Sequence, residues 1–173
     1  MYSKCGCLQE ARQLFDKIRK QGNANVITWS AMIAAYTQQD QAEDAINLFH
    51  EMNQESIIPD DRTYSSILTA CASLVNLKLG KEIVDEISKR NIKWTIELET
   101  SLLNMYAKCG CLQEARQLFD KMRKQGNKNV ITWNAMIAGY AQFGNAQEAL
   151  DLFDEMKLEN MKPNDITFIN LLT

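Results

Sequence analysis

The sequence predicts an all-α solenoid, in which short helical hairpins stack one on another along the chain. The strongest observation is an internal repeat, because residues 1–36 return at 105–140 with a constant offset of 104 and only five pairs differ. Smaller markers recur within that period: Phe15 and Phe49 are 34 residues apart, and Phe119 and Phe153 repeat the spacing. No window alternates apolar and polar residues with period two, which argues against a sheet. The repeat unit is therefore 34 or 35 residues long, the length of a helical hairpin.

Each unit is predicted to form two amphipathic helices, as unit 130–164 illustrates. The apolar stripe of its first helix has the spacing i, i+3, i+4 and i+7 and consists of Trp133, Met136, Ile137 and Tyr140. Gly144 and Asn145 predict the turn. The stripe of the second helix consists of Ala149, Leu152, Phe153 and Met156. Pro163 ends the unit, because proline cannot continue a helix.

Neighbouring hairpins must stack, because a single hairpin cannot bury its apolar stripe alone. The aromatic residues at equivalent repeat positions are expected to face inward, and they are Trp29, Trp133, Tyr36, Tyr106 and Tyr140. The groove along such a stack is its natural binding surface.

Composition narrows the classes of function. The chain has 173 residues, a net charge of −3, seven glycines and two prolines, which excludes collagen-like and disordered chains. No apolar stretch approaches the ~20 residues that a membrane span needs, so we expect no membrane partner. The mild acidic excess argues against a nucleic-acid binder driven by phosphate contacts. The first residues lack the features of a signal or transit peptide, so we expect a cytosolic protein or targeting by residues outside this chain.

Residues that could carry catalysis or bind a metal are few, and we expect no enzyme activity, no cofactor and no metal site. Phosphate-binding loops and metalloprotease motifs are missing, and the single histidine, His50, is expected to be solvated. The cysteines include two pairs, Cys5 with Cys7 and Cys109 with Cys111. These pairs lie three repeats apart, more than about 20 Å along a solenoid, which is too far for one zinc ion. We expect structural thiols, with Cys109 buried and with Cys7 and Cys111 as candidates for exposure.

Another face of each first helix carries small or short polar side chains. The four sets are Ile27, Ser30, Ala34 and Thr37; Arg62, Ser65, Thr69 and Ala72; Glu97, Thr100, Asn104 and Ala107; and Ile131, Asn134, Ala138 and Ala141. Two interpretations fit: tight packing against the next hairpin, or a groove for a flat ligand with one short hydrogen-bonding side chain per repeat. Ser30 is replaced by Asn134 in the second copy, so the duplicated sequence has changed a polar group on this face.

The motifs MYAKCG, WNAMIAGY and ACASL on these helices resemble the pentatricopeptide repeat family, in the subclass where units called P, L and S alternate. The resemblance covers the whole chain and implies a right-handed superhelix. It divides the chain into a partial S unit 1–25, P 26–60, L 61–95, S 96–129, P 130–164 and a truncated L unit 165–173. The S unit departs from the family pattern at its end, where RKQGNKN is longer than the usual tail.

The resemblance implies sequence-specific binding of single-stranded RNA, one base per repeat, by the fifth and last residues of each unit. The pairs are Ser30 with Asp60, Ser65 with Thr95, Thr100 with Asn129 and Asn134 with Asn164, and Asn25 is the last residue of the partial first unit. An Asp carboxylate only accepts hydrogen bonds and suits guanine or uracil, whereas an Asn amide also donates and suits adenine or cytosine. A fifth-position Ser or Thr leaves room for a purine, and Asn favours a pyrimidine. The expected core is 5′-G-N-A-C/U-3′, with the base facing Thr95 left open.

Further roles come from the same resemblance. Ile27 and Ile131 would wedge between neighbouring bases, and Lys4 and Lys108 are candidate phosphate contacts or, equally, solvated lysines. Relatives act in RNA editing in mitochondria or chloroplasts, with accessory proteins docking on L units, here 61–95. The cytidine deaminase motif is missing, so deaminase activity would have to be supplied elsewhere.

The alternative is a protein-binding solenoid of the tetratricopeptide type, which shares the helical hairpin and the repeat length. Its W-x2-L-G-x2-Y and terminal proline pattern is not reproduced, and the polar stripe lacks the charged clamps that bind peptide carboxylates. A recognition site of four bases is too short to specify a unique target, so we expect the chain to be a segment of a longer array.

Overall fold

The computed structural model describes residues 2–127 and 129–172, with side chains from Cys7 onwards. Within these residues it contains ten α-helices and no strand, which confirms the predicted all-α class. The helices are α1 (Tyr2–Lys20), α2 (Val26–Gln38), α3 (Ala42–Gln54), α4 (Asp61–Ser73), α5 (Leu77–Lys89), α6 (Ile96–Lys108), α7 (Leu112–Lys124), α8 (Val130–Gln142), α9 (Ala146–Leu158) and α10 (Asp165–Leu171). None of the helices in this described part is long and apolar enough to cross a membrane.

The helices form two compact units, one ending at Leu98 and the other beginning at Glu99. In the first unit, α2 packs against α1, α3 and α4, and α4 also packs against α3 and α5. In the second unit, α8 packs against α7, α9 and α10, and α9 also packs against α10. A first helix therefore contacts both its own hairpin partner and the first helix of the next hairpin, as stacking requires.

The predicted hairpin of residues 130–164 is confirmed. Its two helices are α8 and α9, and the turn between them contains Gly144 at φ +77°. The predicted stripe residues Trp133, Met136 and Ile137 are fully buried in a core that α6, α7 and α9 share with α8. That core also contains Leu103, Ala107, Ala115, Phe119, Met122, Ala149, Leu152 and Met156.

The two sequence copies reproduce one packing geometry. Phe15 meets Trp29 edge to face with ring centroids 4.9 Å apart, and Phe119 meets Trp133 in the same way at 4.8 Å. Both tryptophans are fully buried, as predicted. The tyrosines Tyr36, Tyr106 and Tyr140 are half-buried, and Tyr106 and Tyr140 pack against the core around Trp133, as predicted. A tyrosine ring packs on apolar neighbours while its hydroxyl favours a polar environment, so a position at the margin of the core suits it.

Helix ends are closed by residues in the left-handed conformation. Glycine takes this role at Gly22, Gly110, Gly126 and Gly144, with φ between +70° and +77°. Other residue types take it at Asp40, Ser56, Val75, Asn91 and Asn160, with φ between +52° and +60°. At Gly144, the following N–H, that of Asn145, donates to the Tyr140 carbonyl at 2.9 Å, which satisfies a carbonyl that the helix end leaves unpaired.

One segment folds differently in the two copies although its sequence is nearly identical. The second copy breaks at Gly110, between α6 and α7, whereas α1 continues through Gly6 as one helix from Tyr2 to Lys20. In the second copy a side chain at Gly110 would come within 2.9 Å of the Phe143 ring, so the break is packed by an aromatic residue. The residue 104 positions before Phe143 is Gln39, which lies outside the near-identical stretch.

Candidate nucleic-acid interface

The last residue of each predicted unit immediately precedes a first helix and caps its N-terminus. The side-chain oxygens of Asn25, Asp60, Asn129 and Asn164 accept hydrogen bonds from the backbone N–H three residues later, at 3.1, 2.8, 3.0 and 3.1 Å respectively. Thr95 accepts from the Leu98 N–H at 3.3 Å with its hydroxyl oxygen. These contacts satisfy N–H groups that the first turn of a helix leaves unpaired.

Sequence reasoning missed this capping role, although its signal is present. Asn or Asp precedes a threonine by three residues at four of these helix starts, and at Asn25, Asn129 and Asn164 the threonine hydroxyl completes a capping box. The capping oxygen is thereby committed to the protein. A ligand facing these side chains meets the remaining atoms, which are the NH₂ of an asparagine or the second oxygen of an aspartate.

The fifth residues are more deeply buried than a groove-lining role suggests. Ser30, Ser65 and Asn134 are each 6% exposed, and Thr100 is half-buried. Ser30 donates from its hydroxyl to the Ile27 carbonyl at 3.2 Å, one turn back in the same helix.

The small-residue face differs in burial from one position to another. Ala72 and Ala107 are buried, and a side chain on Gly139 would lie 3.0 Å from the Ala107 Cβ, so α6 and α8 pack tightly there. The positions that stay half-buried are Ala34, Thr37, Thr69, Asn104, Ala138 and Ala141. Tight packing therefore accounts for part of this face, and the rest is accessible.

The Asn134 and Asn164 side chains are brought together directly. The Asn134 Nδ2 donates to the Asn164 Oδ1 at 3.0 Å, and the Asn134 Oδ1 accepts from the Thr167 hydroxyl at 2.7 Å. The Asn134 backbone carbonyl accepts from the Asn170 Nδ2 at 3.1 Å. Three side chains of α10 and its cap thus hold this fifth residue in one orientation.

The pair in the first copy is arranged differently. The Asp60 Oδ1 accepts from both the Thr63 N–H, at 2.8 Å, and the Thr63 hydroxyl, at 2.6 Å. The Thr63 hydroxyl therefore donates to the Asp60 carboxylate, whereas the equivalent Thr167 hydroxyl makes its shorter hydrogen bond to the fifth residue, Asn134. Ser30 is too short to compete for the Thr63 hydroxyl proton and bonds to its own helix instead.

The second residues of the units are exposed apolar side chains at the start of a first helix. Ile27 is 67% exposed and Ile131 is 61% exposed, both at positions predicted to wedge between bases. Ile166 occupies the same position before α10 completes its first turn and is 55% exposed; the prediction did not include it. In the intervening units the position carries the exposed charged residues Arg62 and Glu97.

Most of the arginines near these helices are engaged by carboxylates. Arg19 pairs with Glu51 and Glu55, and the equivalent Arg123 pairs with Glu155 and Glu159. Burial lowers the pKa of Arg123, but its hydrogen bonds to Glu159 and Glu155 outweigh burial and raise the pKa. These cations are committed within the protein rather than directed at phosphates.

The remaining predicted residues have varied settings. Lys108 is exposed at the end of α6, whereas the side chains of Lys4 and Cys5 lie outside the described residues. Of the two candidates for exposure, Cys7 is exposed and Cys111 is half-buried, and Cys109, predicted to be buried, is also half-buried. Burial and the neighbouring Cys111 raise the pKa of Cys109, which disfavours the metal-binding thiolate.

His50 is exposed on α3, as predicted. Among the residues whose side chains the structure describes, no three His, Cys, Asp or Glu side chains form a group that could hold a metal ion.

Comparison with known proteins places this arrangement among plant repeat proteins. The pentatricopeptide repeat-containing protein At2g33680 of Arabidopsis thaliana is 39% identical over 173 residues, which are 100% of this chain and 23% of the relative. The mitochondrial protein At3g02330 and the chloroplastic protein At3g57430, both of the same description and organism, are 36% and 38% identical over 99% of this chain. The chain spans less than a quarter of the length of these relatives.

Solved structures have the same fold. The pentatricopeptide repeat protein PPR10 of maize, in complex with an 18-nucleotide psaJ RNA element, matches with a TM-score of 0.74 and 19% identity over 93% of this chain and 24% of that chain. The PPR domain of the Arabidopsis thaliana protein-only RNase P 1, in complex with tRNA, matches with a TM-score of 0.67 and 13% identity over 95% of this chain and 88% of that chain. The sequence model described as the PPR repeat family matches residues 24–73 and 128–173, and that of the PPR repeat matches residues 1–23 and 100–127. With these matches over most of its length, the chain belongs to the PPR repeat family.

Proposed function

We propose that this chain binds single-stranded RNA sequence-specifically, one base per repeat, through the paired fifth and last residues of its units. The observation that carries the proposal is the Asn134–Asn164 pair, whose side chains meet at 3.0 Å across two successive first helices. Two repeat proteins of the same fold are described in complex with RNA, one with an 18-nucleotide element and one with tRNA. RNA bases splayed from a single strand offer edges that such short polar side chains can read.

The hydrogen bonds that the pair already makes within the protein support a preference for one pyrimidine. The Asn164 Oδ1 already accepts from Thr167 and Asn134, and the Asn134 Oδ1 accepts from Thr167. Asn164 therefore offers a base its two amide hydrogens, and Asn134 offers its second amide hydrogen beside one remaining lone pair of its Oδ1, so donors predominate. Cytosine presents acceptors at N3 and O2, whereas uracil presents an N3–H donor, so this pair favours cytosine over uracil.

The proposed core is 5′-G-N-A-C/U-3′, read in order by the four complete pairs. The second oxygen of Asp60 accepts from guanine, whereas Thr100 with Asn129 suits adenine. Thr95 carries a hydroxyl that donates or accepts, so the base facing Ser65 and Thr95 is not specified. Asn25 would complete a further pair with the fifth residue of a preceding unit.

Stacking and base edges, more than phosphate contacts, would supply the affinity. Exposed isoleucines at Ile27 and Ile131 are suited to packing between bases, and the ion pairs of Arg19 and Arg123 hold these two arginines within the protein. Lys4 and Lys108 are the lysines proposed for phosphate contacts. A net charge of −3 agrees with a weak electrostatic contribution.

The biological setting belongs to the same proposal. We propose that the chain is the recognition segment of a P, L and S repeat factor in mitochondria or chloroplasts, acting in RNA editing or processing. Two of the relatives carry mitochondrial and chloroplastic in their names. The chain would act without catalysis of its own, with deaminase activity supplied elsewhere and accessory proteins docking on the unit 61–95.

Binding to four short RNAs that differ only at the base facing Asn134 tests the proposal. The unmodified protein is expected to prefer cytosine there, and Asn134→Ser is expected to shift the preference towards adenine because the shorter side chain admits a purine. The matched control is the same RNA series with the variable base facing Ser65 and Thr95, where neither protein should discriminate. Equal affinity for all four bases facing Asn134, or for double-stranded RNA, would contradict the proposal.

A further inference from the structure

We infer that Thr167 is a positioning residue that sets the base preference of the Asn134–Asn164 pair. Thr167 belongs to the next repeat and to neither position of the pair. The inference rests on the proposed RNA-reading function and adds a third side chain to one reading site.

The hydrogen bonds around Thr167 fix the orientation of both amides. Its backbone N–H donates to the Asn164 Oδ1 at 3.1 Å, so that oxygen faces the helix start. The Asn164 Oδ1 in turn accepts from the Asn134 Nδ2 at 3.0 Å. The Thr167 hydroxyl donates to the Asn134 Oδ1 at 2.7 Å, which holds the other end of the same carboxamide.

The burial of Thr167 and Asn134 disfavours any other orientation of the Asn134 amide. Thr167 is fully buried and Asn134 is 6% exposed, so an alternative orientation of the amide would leave a polar atom unpaired away from water. The second amide hydrogen of Asn134 has no hydrogen-bond partner among the described residues, so it is available to a base. With its oxygen held by Thr167, Asn134 presents a donor to that base.

The equivalent threonines elsewhere do not reach a fifth residue. The hydroxyls of Thr28 and Thr132 donate to the backbone carbonyls of their own caps, Asn25 and Asn129, at 2.8 Å in each case. The Thr63 hydroxyl donates to the Asp60 side chain at 2.6 Å. Among these four threonines, Thr167 alone directs its shortest side-chain hydrogen bond to a fifth residue. The fifth residue of the unit before Thr63 is Ser30, which is too short to meet the hydroxyl, and that of the unit before Thr132 is Thr100; the chain contains no fifth residue for the unit before Thr28.

The anchoring of α10 on α8 supports the same role. The Asn170 Nδ2 donates to the Asn134 carbonyl at 3.1 Å, one turn beyond Thr167 on the same helix. The distance between Thr167 and Asn134 is therefore fixed from both sides of the contact.

Thr167→Val tests the inference, because valine keeps the shape of threonine and removes the hydroxyl. The ratio of affinities for RNAs with cytosine and uracil facing Asn134 is expected to fall about three-fold or more, in line with the loss of one hydrogen bond. Thr167→Ser, which retains the hydroxyl, is expected to restore the ratio. Thr132→Val is the matched control, because it removes a capping-box hydroxyl that does not touch a fifth residue and should leave the ratio unchanged.

The outcomes separate this inference from the proposed function. If the unmodified protein shows no base preference facing Asn134, the proposed function fails. If it prefers cytosine and Thr167→Val preserves the full ratio while lowering stability as much as Thr132→Val does, the reading function stands and the inference is overturned.

Discussion

Single residues in the helix-ending turns show where backbone conformation costs stability. Val75 adopts φ +52° although it is β-branched, in the position that Gly110 and Gly144 occupy in the later units. Left-handed backbone is unfavourable for a branched L-residue. The Asn76 N–H nonetheless donates to the Cys71 carbonyl at 2.8 Å, so the surrounding structure imposes the turn.

We expect Val75→Gly to raise the free energy of unfolding by about 0.5–1 kcal/mol, because glycine adopts this conformation without steric cost. Gly144→Val is the matched reverse change, and with nothing within 4 Å of the added Cβ it should lower stability through the backbone alone, by about 1–2 kcal/mol. Chemical denaturation of both variants measures the difference. A loss of stability in Val75→Gly would show that its side-chain contacts outweigh the strain.

A second residue-scale feature is an acidic side chain in a core position. Glu99 is only 4% exposed and stands at the fourth position of its unit, where the other described units carry the aromatic residues Trp29, Tyr64, Trp133 and Phe168. Its carboxylate accepts from the Lys121 Nζ at 2.8 Å, and the lysine side chain is half exposed. A buried charge is tolerated only when it is paired.

Lys121→Ala is expected to lower the free energy of unfolding by about 1–2 kcal/mol, because it leaves the Glu99 carboxylate buried and unpaired. The loss is smaller than for a fully buried ion pair, because the lysine is half exposed and water screens its charge. Lys17→Ala changes the equivalent exposed lysine of the first copy and should alter stability by less than about 0.5 kcal/mol. Denaturation of the two variants under the same conditions distinguishes them. Equal effects would mean that the Glu99 contact contributes nothing.

At the scale of helices, one side chain both begins a first helix and is proposed to read a base. Asn129 caps α8 through its Oδ1, and Asp60 caps α4 in the same way. Because asparagine and aspartate cap helices about equally well, exchanging them separates the two roles.

Asn129→Asp should leave the free energy of unfolding unchanged within about 0.5 kcal/mol, whereas Asn129→Ala should lower it by about 1 kcal/mol. In RNA binding, Asn129→Asp is expected to move the preference at its base from adenine towards guanine, because a carboxylate only accepts hydrogen bonds. Thermal unfolding and binding to RNAs that differ at this one base measure the two effects. A preference for adenine that persists in Asn129→Asp would assign the residue to capping alone.

Much of the helical architecture could be predicted from the sequence, because apolar spacing reports directly on which face of a helix is buried. The buried stripe of α8 and the turn at Gly144 could both be predicted from the sequence pattern. The burial of Asn134 was not, since its partners Asn164, Thr167 and Asn170 lie 30 to 36 residues away and meet it only after α10 packs against α8. Val75 carries no turn signal either, because packing rather than local preference sets its conformation.

At the scale of the whole molecule, the duplication supplies an internal comparison between two proposed reading sites on nearly the same scaffold. Residues 1–36 and 105–140 differ at five positions, and one of these is the pair of fifth residues Ser30 and Asn134. The surrounding aromatic contacts agree within 0.1 Å between the copies, at 4.9 and 4.8 Å. The effects of changes at these two positions on base preference can therefore be compared on the same aromatic framework.

The double exchange Ser30→Asn with Asn134→Ser tests most directly the central claim that paired fifth and last residues read bases. The measurement is equilibrium binding to single-stranded RNAs that carry every base at the first and fourth core positions. Asparagine with Asp60 should favour uracil, and serine with Asn164 should favour adenine, so the preferred core is predicted to change from G-N-A-C to U-N-A-A. An unchanged preference for G-N-A-C, or no preference in either protein, would contradict reading by paired residues.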